Sequence, residues 1–178
     1  MKKEQNQEPN EKSMKEEVMS WIKLLVVTLV IGLGISSVIK PTVVSGDSML
    51  PTLQNDNYLL LNRLAYKVGE PKHQDIVVFH SHTNSIFIKR VIGVAGDEVK
   101  VKDGRVWVNG EELKEDYING EFHIGNVEVT VPKDQLFVMG DNRDNSYDSR
   151  FEEIGFIHED EVIGKVFIEL YPSLSFPK

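Results

Sequence analysis

Hydrophobic positions in this chain change rhythm near residue 40. From Trp21 to Ile39, 19 residues run with one charge, Lys23. As a helix at about 1.5 Å per residue they cover roughly 28 Å, close to the roughly 30 Å hydrocarbon thickness of a bilayer. Lys23 lies near one end, where its stem carries the ammonium to the headgroups, and Trp21 suits the interface. The pattern predicts one transmembrane helix over Trp21–Ile39. A cleaved secretion signal has a similar profile, but Ser36-Ser37-Val38-Ile39-Lys40 offers no Ala-x-Ala-like exit, which favours a retained anchor.

Past Lys40 the apolar runs are short and bounded by turn residues. They predict strands over Asn57–Arg63, Asp75–Phe79, Ile86–Val94, Glu98–Lys102, Arg105–Val108, Val127–Val131, Leu136–Met139 and Val162–Ile168. Asp103-Gly104 and Asn109-Gly110 tolerate positive φ and predict tight hairpins, whereas Tyr117 to Gly125 reads as a looser loop. The expected fold class is mainly β, a sandwich or partly open barrel behind one N-terminal transmembrane helix. Three regions result: a polar tail over residues 1–20, mostly disordered with helix expected from Met14 onward, the span over residues 21–39, and a β-rich domain over residues 40–178.

Charge narrows the partners and the topology. After residue 40 the chain holds 14 Lys/Arg against 23 Asp/Glu, a balance of −9, so no basic groove is available for nucleic acid. Lys2, Lys3, Lys12, Lys15 and Lys23 precede or open the span while Lys40 alone closely follows it, which puts the N-terminus in the cytoplasm and the domain outside. The absence of cysteine excludes disulfides, thiolate metal sites and a cysteine nucleophile.

Candidate chemistry sits in three segments. Ser48, in Ser45-Gly46-Asp47-Ser48-Met49-Leu50-Pro51-Thr52-Leu53, falls on a bend that suits an exposed nucleophile, although a serine in a Gly/Asp turn is ordinarily structural. Lys89 lies in the apolar run Ile86-Phe87-Ile88-Lys89-Arg90-Val91-Ile92-Gly93, on a strand face shared with Phe87 and Val91. It is either a solvated edge lysine or a desolvated amine able to take a serine proton. The third segment, Met139 to Arg150, is dense in polar groups; as a network it pairs Asp141, Asp144 and Asp148 with Arg143 and Arg150 and leaves the Ser146 hydroxyl to orient a lysine amine. A calcium loop from Asp141 to Glu152 is disfavoured, because Arg143 and Ser146 stand where an acidic or amide residue and a glycine are needed. His80-Ser81-His82 lacks a third metal ligand, and Ser37-Val38-Ile39-Lys40 matches Ser-x-x-Lys without the Lys-Thr-Gly that accompanies it.

In these three segments, by order and spacing, the chain resembles the type I signal peptidases, membrane-bound Ser/Lys endopeptidases that remove signal peptides from secreted preproteins. The resemblance covers the span and nearly all of residues 41–170. It implies a signal-peptidase-like β-rich domain on the extracytoplasmic face, Ser48 as nucleophile, Lys89 as general base, Ser146 orienting the lysine amine, and Asp141, Asp148 and Arg150 supporting the site. Secreted preproteins and membrane lipid are the implied partners, with transient association with the secretion machinery; no cofactor, metal or nucleic acid is implied. Many Gram-negative members carry a serine where this chain has Gly46, so the oxyanion hole is expected to use main-chain donors including the Ser48 N–H, with Gly46 shaping the local geometry. Serine at position 46 is expected to be tolerated and valine not. A Ser/His/Asp hydrolase using one of His73, His80, His82, His123 and His158, and a catalytically inert anchored β module, are the rival readings.

Overall fold

A computed structural model describes residues 11–82, 85–172 and 174–177. The first ten residues of the tail lie outside them. The N-terminal unit is helix α1 (Glu11–Val38), whose candidate membrane span, Met14–Val38, includes 18 consecutive residues of mean hydropathy 2.2. Its side chains from Met14 to Ser37 are all exposed, including Trp21 and Leu25. Its hydroxyls turn inward: Thr28 Oγ1 donates to the Leu24 carbonyl at 2.8 Å, Ser36 Oγ to Leu33 at 3.0 Å and Ser37 Oγ to Gly34 at 2.7 Å. Such self-satisfaction pairs these hydroxyls within the helix, so that they need no partner outside it. Pro41 explains why helix gives way after Val38, since it has no N–H to continue the ladder and biases Lys40 to an extended conformation.

The second unit is built from β1 (Ile39–Val43), β2 (Tyr58–Asn62), the short helix α2 (Ala65–Val68), β3 (Ile76–His80), β4 (Ile86–Gly93), β5 (Glu98–Lys102), β6 (Arg105–Val108), β7 (Glu111–Glu112), β8 (Val127–Thr130), β9 (Gln135–Met139), β10 (Ile157–His158) and β11 (Val162–Tyr171). They form a seven-stranded sheet in the order β1-β2-β11-β3-β4-β9-β10 and a four-stranded sheet in the order β7-β6-β5-β8. The pairings within both sheets are antiparallel. The two predicted hairpins close with positive φ at both turn residues, 47° and 73° at Asp103-Gly104 and 54° and 82° at Asn109-Gly110, the pairing that twisted antiparallel strands favour.

β3 is buried on both faces: Ile76 and Val78 join a cluster with Met49, Leu53 and Leu61, while Val77 and Phe79 join one with Val91, Val138 and Ile154. A third cluster, of Ile92, Phe137 and Met139 with Val99, Val101 and Val106, ties the large sheet to the small one. β4 contributes to both of the last two and therefore crosses the middle of the domain. Residues deep in that strand are withdrawn from water whatever their polarity.

Candidate active site

The turn bearing Ser48 is fixed from below. Met49 and Leu53, 1% and 0% exposed, plunge into the core, and Leu53 N–H donates to the Met49 carbonyl at 2.9 Å. Their anchoring leaves Ser48 half-buried at the surface end of the bend. On the other side, Asn142 N–H donates to the Ser48 carbonyl and Asn142 Nδ2 to the Asp47 carbonyl, both at 3.0 Å. The polar segment after β9 thus grips the backbone of the Ser48 turn.

Lys89 projects from the centre of β4, is 2% exposed, and brings Nζ to 2.6 Å from Ser48 Oγ. The Phe87 ring lies 5.4 Å away. Burial pulls the amine below the ordinary lysine value to about 8; the negative charges of Asp148 and Asp141 oppose that shift and the positive charge of Arg150 reinforces it. The ammonium form donates to Ser48 Oγ; a fraction of the amine is neutral near pH 7, and in that form the nitrogen has a lone pair with which to accept a proton.

The supporting carboxylates are fully used. Asp148 accepts from the Gly140 N–H at 2.9 Å and from Arg150 Nε and Nη2 at 2.8 and 2.9 Å. Asp141 accepts from Arg90 Nε at 2.8 Å and Nη2 at 2.6 Å, and also from Thr52 Oγ1. The expected pairing of the segment's own acids and arginines therefore holds for Asp148 with Arg150 only. Arg143 turns to Glu115, Asp141 to Arg90, and Asp144 caps the N–H groups of His123 and Ile124. Arg90, Glu115 and Thr52 were not singled out from the sequence, because these pairs join positions far apart in the chain and no local pattern encodes them.

Ser146 Oγ is buried and has no hydrogen-bond partner among the described residues. It lies against Gly140, where an added Cβ would overlap both this hydroxyl and the Ser48 carbonyl oxygen. Gly140 is thus the one residue type that lets the third segment close on the Ser48 turn. Gly46 has space around it but a φ of +94°, and its N–H donates to Asn55 Oδ1 at 3.0 Å. Any side chain at position 46 is therefore strained by the backbone, serine and valine alike, although neither would meet a neighbouring atom at its Cβ.

A small cleft of about 80 Å³ opens beside Ser48, lined by apolar side chains such as Val44, Met49, Phe87 and Ile88 together with the polar Thr42 and Ser45. β9 pairs with β4 only through Arg90, Val91 and Gly93, so the Ile86–Ile88 portion has an edge that β9 does not cover. The histidines are engaged elsewhere: His73 with Asp97 at 2.6 Å, His82 with Glu161 at 3.2 Å, His123 with Asp144 at 3.4 Å and His158 with Asp160 at 3.7 Å. Among the described residues none, His80 included, hydrogen-bonds Ser48.

The model of the family described as signal peptidase, peptidase S26, matches residues 18–171. The chain belongs to that family. Signal peptidase IB of Staphylococcus aureus (strain COL) is 35% identical over 182 aligned residues, covering 92% of this chain and 94% of the relative. A probable signal peptidase I-2 of Synechocystis is 36% identical over 164, covering 86% and 74%. A crystal structure of a signal peptidase I from Enterococcus faecalis superposes with a TM-score of 0.46 and 31% identity, covering 55% of this chain and 97% of that one. The chain is accordingly a serine peptidase with a mainly β fold, and signal peptidase I activity is the function its relatives support.

Proposed function

We propose that this peptidase works as a membrane-bound Ser48/Lys89 dyad that cuts signal peptides from preproteins. The observation that carries this reading is the 2.6 Å approach of Lys89 Nζ to Ser48 Oγ inside a buried strand. Neutral Lys89 takes the hydroxyl proton as Ser48 Oγ bonds to the scissile carbonyl carbon, and the carbonyl electron pair moves to oxygen. Collapse of that oxyanion expels the amine of the mature chain, which receives the proton from Lys89, and leaves the signal peptide esterified to Ser48. Water then gives a proton to Lys89 and attacks the ester. The acid is released and Ser48 recovers its proton.

The Ser48 N–H donates to no group among the described residues, which leaves it to hold the oxyanion, with Gly46 setting the local backbone. Asp148 and Arg150 hold the surrounding backbone, Asp141 holds the Arg90 and Thr52 side chains, and Ser146 is the hydroxyl left to orient the amine, although it forms no hydrogen bond to Lys89 among the described residues. The substrate adds as an extended strand along the Ile86–Ile88 edge, and the size of the neighbouring cleft suits small side chains such as alanine. Residues 1–20 lie in the cytoplasm, α1 crosses the bilayer, and the domain from residue 40 onward works outside, where it meets preproteins, lipid and transiently the export machinery.

The test is incubation of the full chain in detergent micelles with a preprotein and mapping of the new N-terminus. Cleavage after small residues at the first and third positions before the cut is expected, with turnover lost in Ser48→Ala and in Lys89→Ala. Cleavage after bulky residues only, or an active Ser48→Ala, overturns the reading.

A further inference from the structure

The loop joining β7 to β8, residues 113–126, comes from the small sheet, yet its side chains are spent on the arginines around the active site. Tyr117 lies over the Arg90 guanidinium at 3.9 Å, and Phe122, 3% exposed, faces those of Arg143 and Arg150 at 5.1 and 5.7 Å. Glu115 is the keystone. Its two carboxylate oxygens accept from Arg143 Nη1 and Nη2, and Tyr117 Oη donates to the same carboxylate at 2.8 Å. The ion pair is shut away from water, with side chains 2% and 7% exposed.

With both Nη groups held, Arg143 presents Nε to the Gly140 carbonyl at 3.0 Å. The N–H of the same glycine is held by Asp148 at 2.9 Å. Gly140 is thereby clamped on both sides, and it is the residue that touches the Ser48 carbonyl and the Ser146 hydroxyl. We propose that Glu115 is a positioning residue for the peptidase reaction, holding Arg143 so that Gly140, and through it the Ser48 turn, keeps its place opposite Lys89. The inference rests on the Ser48/Lys89 reading. Without the Glu115 charge the buried guanidinium has no ion-pair partner among the described residues, and it must turn to solvent or to another carboxylate, such as that of Asp141, dropping the Gly140 carbonyl as it goes.

Displacement of the nucleophile should lower the rate of reaction more than it weakens substrate binding, because Glu115 lies behind the site and not in the cleft. In the full chain in detergent, with a signal-peptide substrate, Glu115→Gln is expected to lower kcat about 10-fold and Glu115→Ala about 100-fold, with KM within about 2-fold of wild type. Glu115→Asp keeps the charge but spans the fork less well, and is expected to lower kcat about 3-fold. Thermal unfolding of each variant is followed in parallel, and kcat is referred to folded enzyme. An unchanged kcat, a loss that vanishes once folded enzyme is counted, or a rise in KM alone overturns the proposal. If Glu115→Gln does not fold, Glu115→Asp decides by the same criteria. Ser48→Ala run alongside separates the two levels: a dead Ser48→Ala beside an unaffected Glu115→Gln removes only the role of Glu115, whereas an active Ser48→Ala removes the dyad and this inference with it.

Discussion

The two faces of β4 each bury a cation, and they treat it in opposite ways. On one face Arg90, fully buried, is given everything a guanidinium can use: the Asp141 carboxylate on Nε and Nη2, the Gln74 carbonyl on Nη1 at 3.1 Å and the Tyr117 ring across its plane. On the other, Lys89 forms no ion pair among the described residues and has a serine hydroxyl as its hydrogen-bond partner. The neighbouring carboxylate of Asp148 is held by Arg150 and the Gly140 N–H, and that of Asp141 by Arg90. A buried cation with a good counter-ion stays charged; one denied it drifts toward neutrality. The same strand thus stores a paired structural charge beside an amine whose pKa burial lowers, the state that the proposed base role requires.

Breaking the satisfied face should cost most. Asp141→Asn strands the Arg90 guanidinium in the core, and a loss of about 3 to 5 kcal/mol in unfolding free energy is expected from chemical denaturation. A loss below about 1 kcal/mol would mean that Arg90 finds water or another acceptor readily.

The deprived face predicts the opposite sign. Replacing Lys89 by methionine should abolish cleavage and raise stability at pH 7 by up to about 3 kcal/mol, the equivalent of moving the amine from 10.5 to about 8. Because the folded state binds this proton less tightly than the unfolded chain, the cost of burying Lys89 is full below about pH 8, shrinks as the pH rises, and is gone above 10.5. The advantage of Lys89→Met in denaturation experiments should therefore fade between pH 8 and 10.5. An advantage independent of pH would assign it to packing alone.

How much of this was legible in the sequence depends on the range of the interactions. Strands with clear bounds were readable: Glu98–Lys102 and Arg105–Val108 fall where alternation and the Asp-Gly turn put them. β1 was not, since Ile39 continues the apolar span and Pro41 argues against a ladder; it survives as an edge strand that, among the described residues, pairs only with β2. The two-residue strands β7 and β10 are too short to show any period. For the site, Ser48 and Lys89 stood out because an exposed turn and an apolar run are local features. The partners of Arg90 and Arg143 did not, because Asp141 and Glu115 reach them across 51 and 28 positions of chain. The segment over Tyr117 to Gly125 read as a loose loop because its purpose, stacking on Arg90, Arg143 and Arg150, is visible only in three dimensions.

If Lys89 is a base made usable by withholding a counter-ion, the pH dependence of kcat/KM on a soluble peptide substrate reads its pKa and is the most direct test of that role. A rise through an acidic limb with its midpoint near the depressed lysine value of about 8 is predicted, followed by a plateau, and the limb should survive substitution of each histidine in turn. A profile that is flat or falls from about pH 6 to 9, or a limb near the histidine value of about 6.5 that disappears with one histidine, would contradict it.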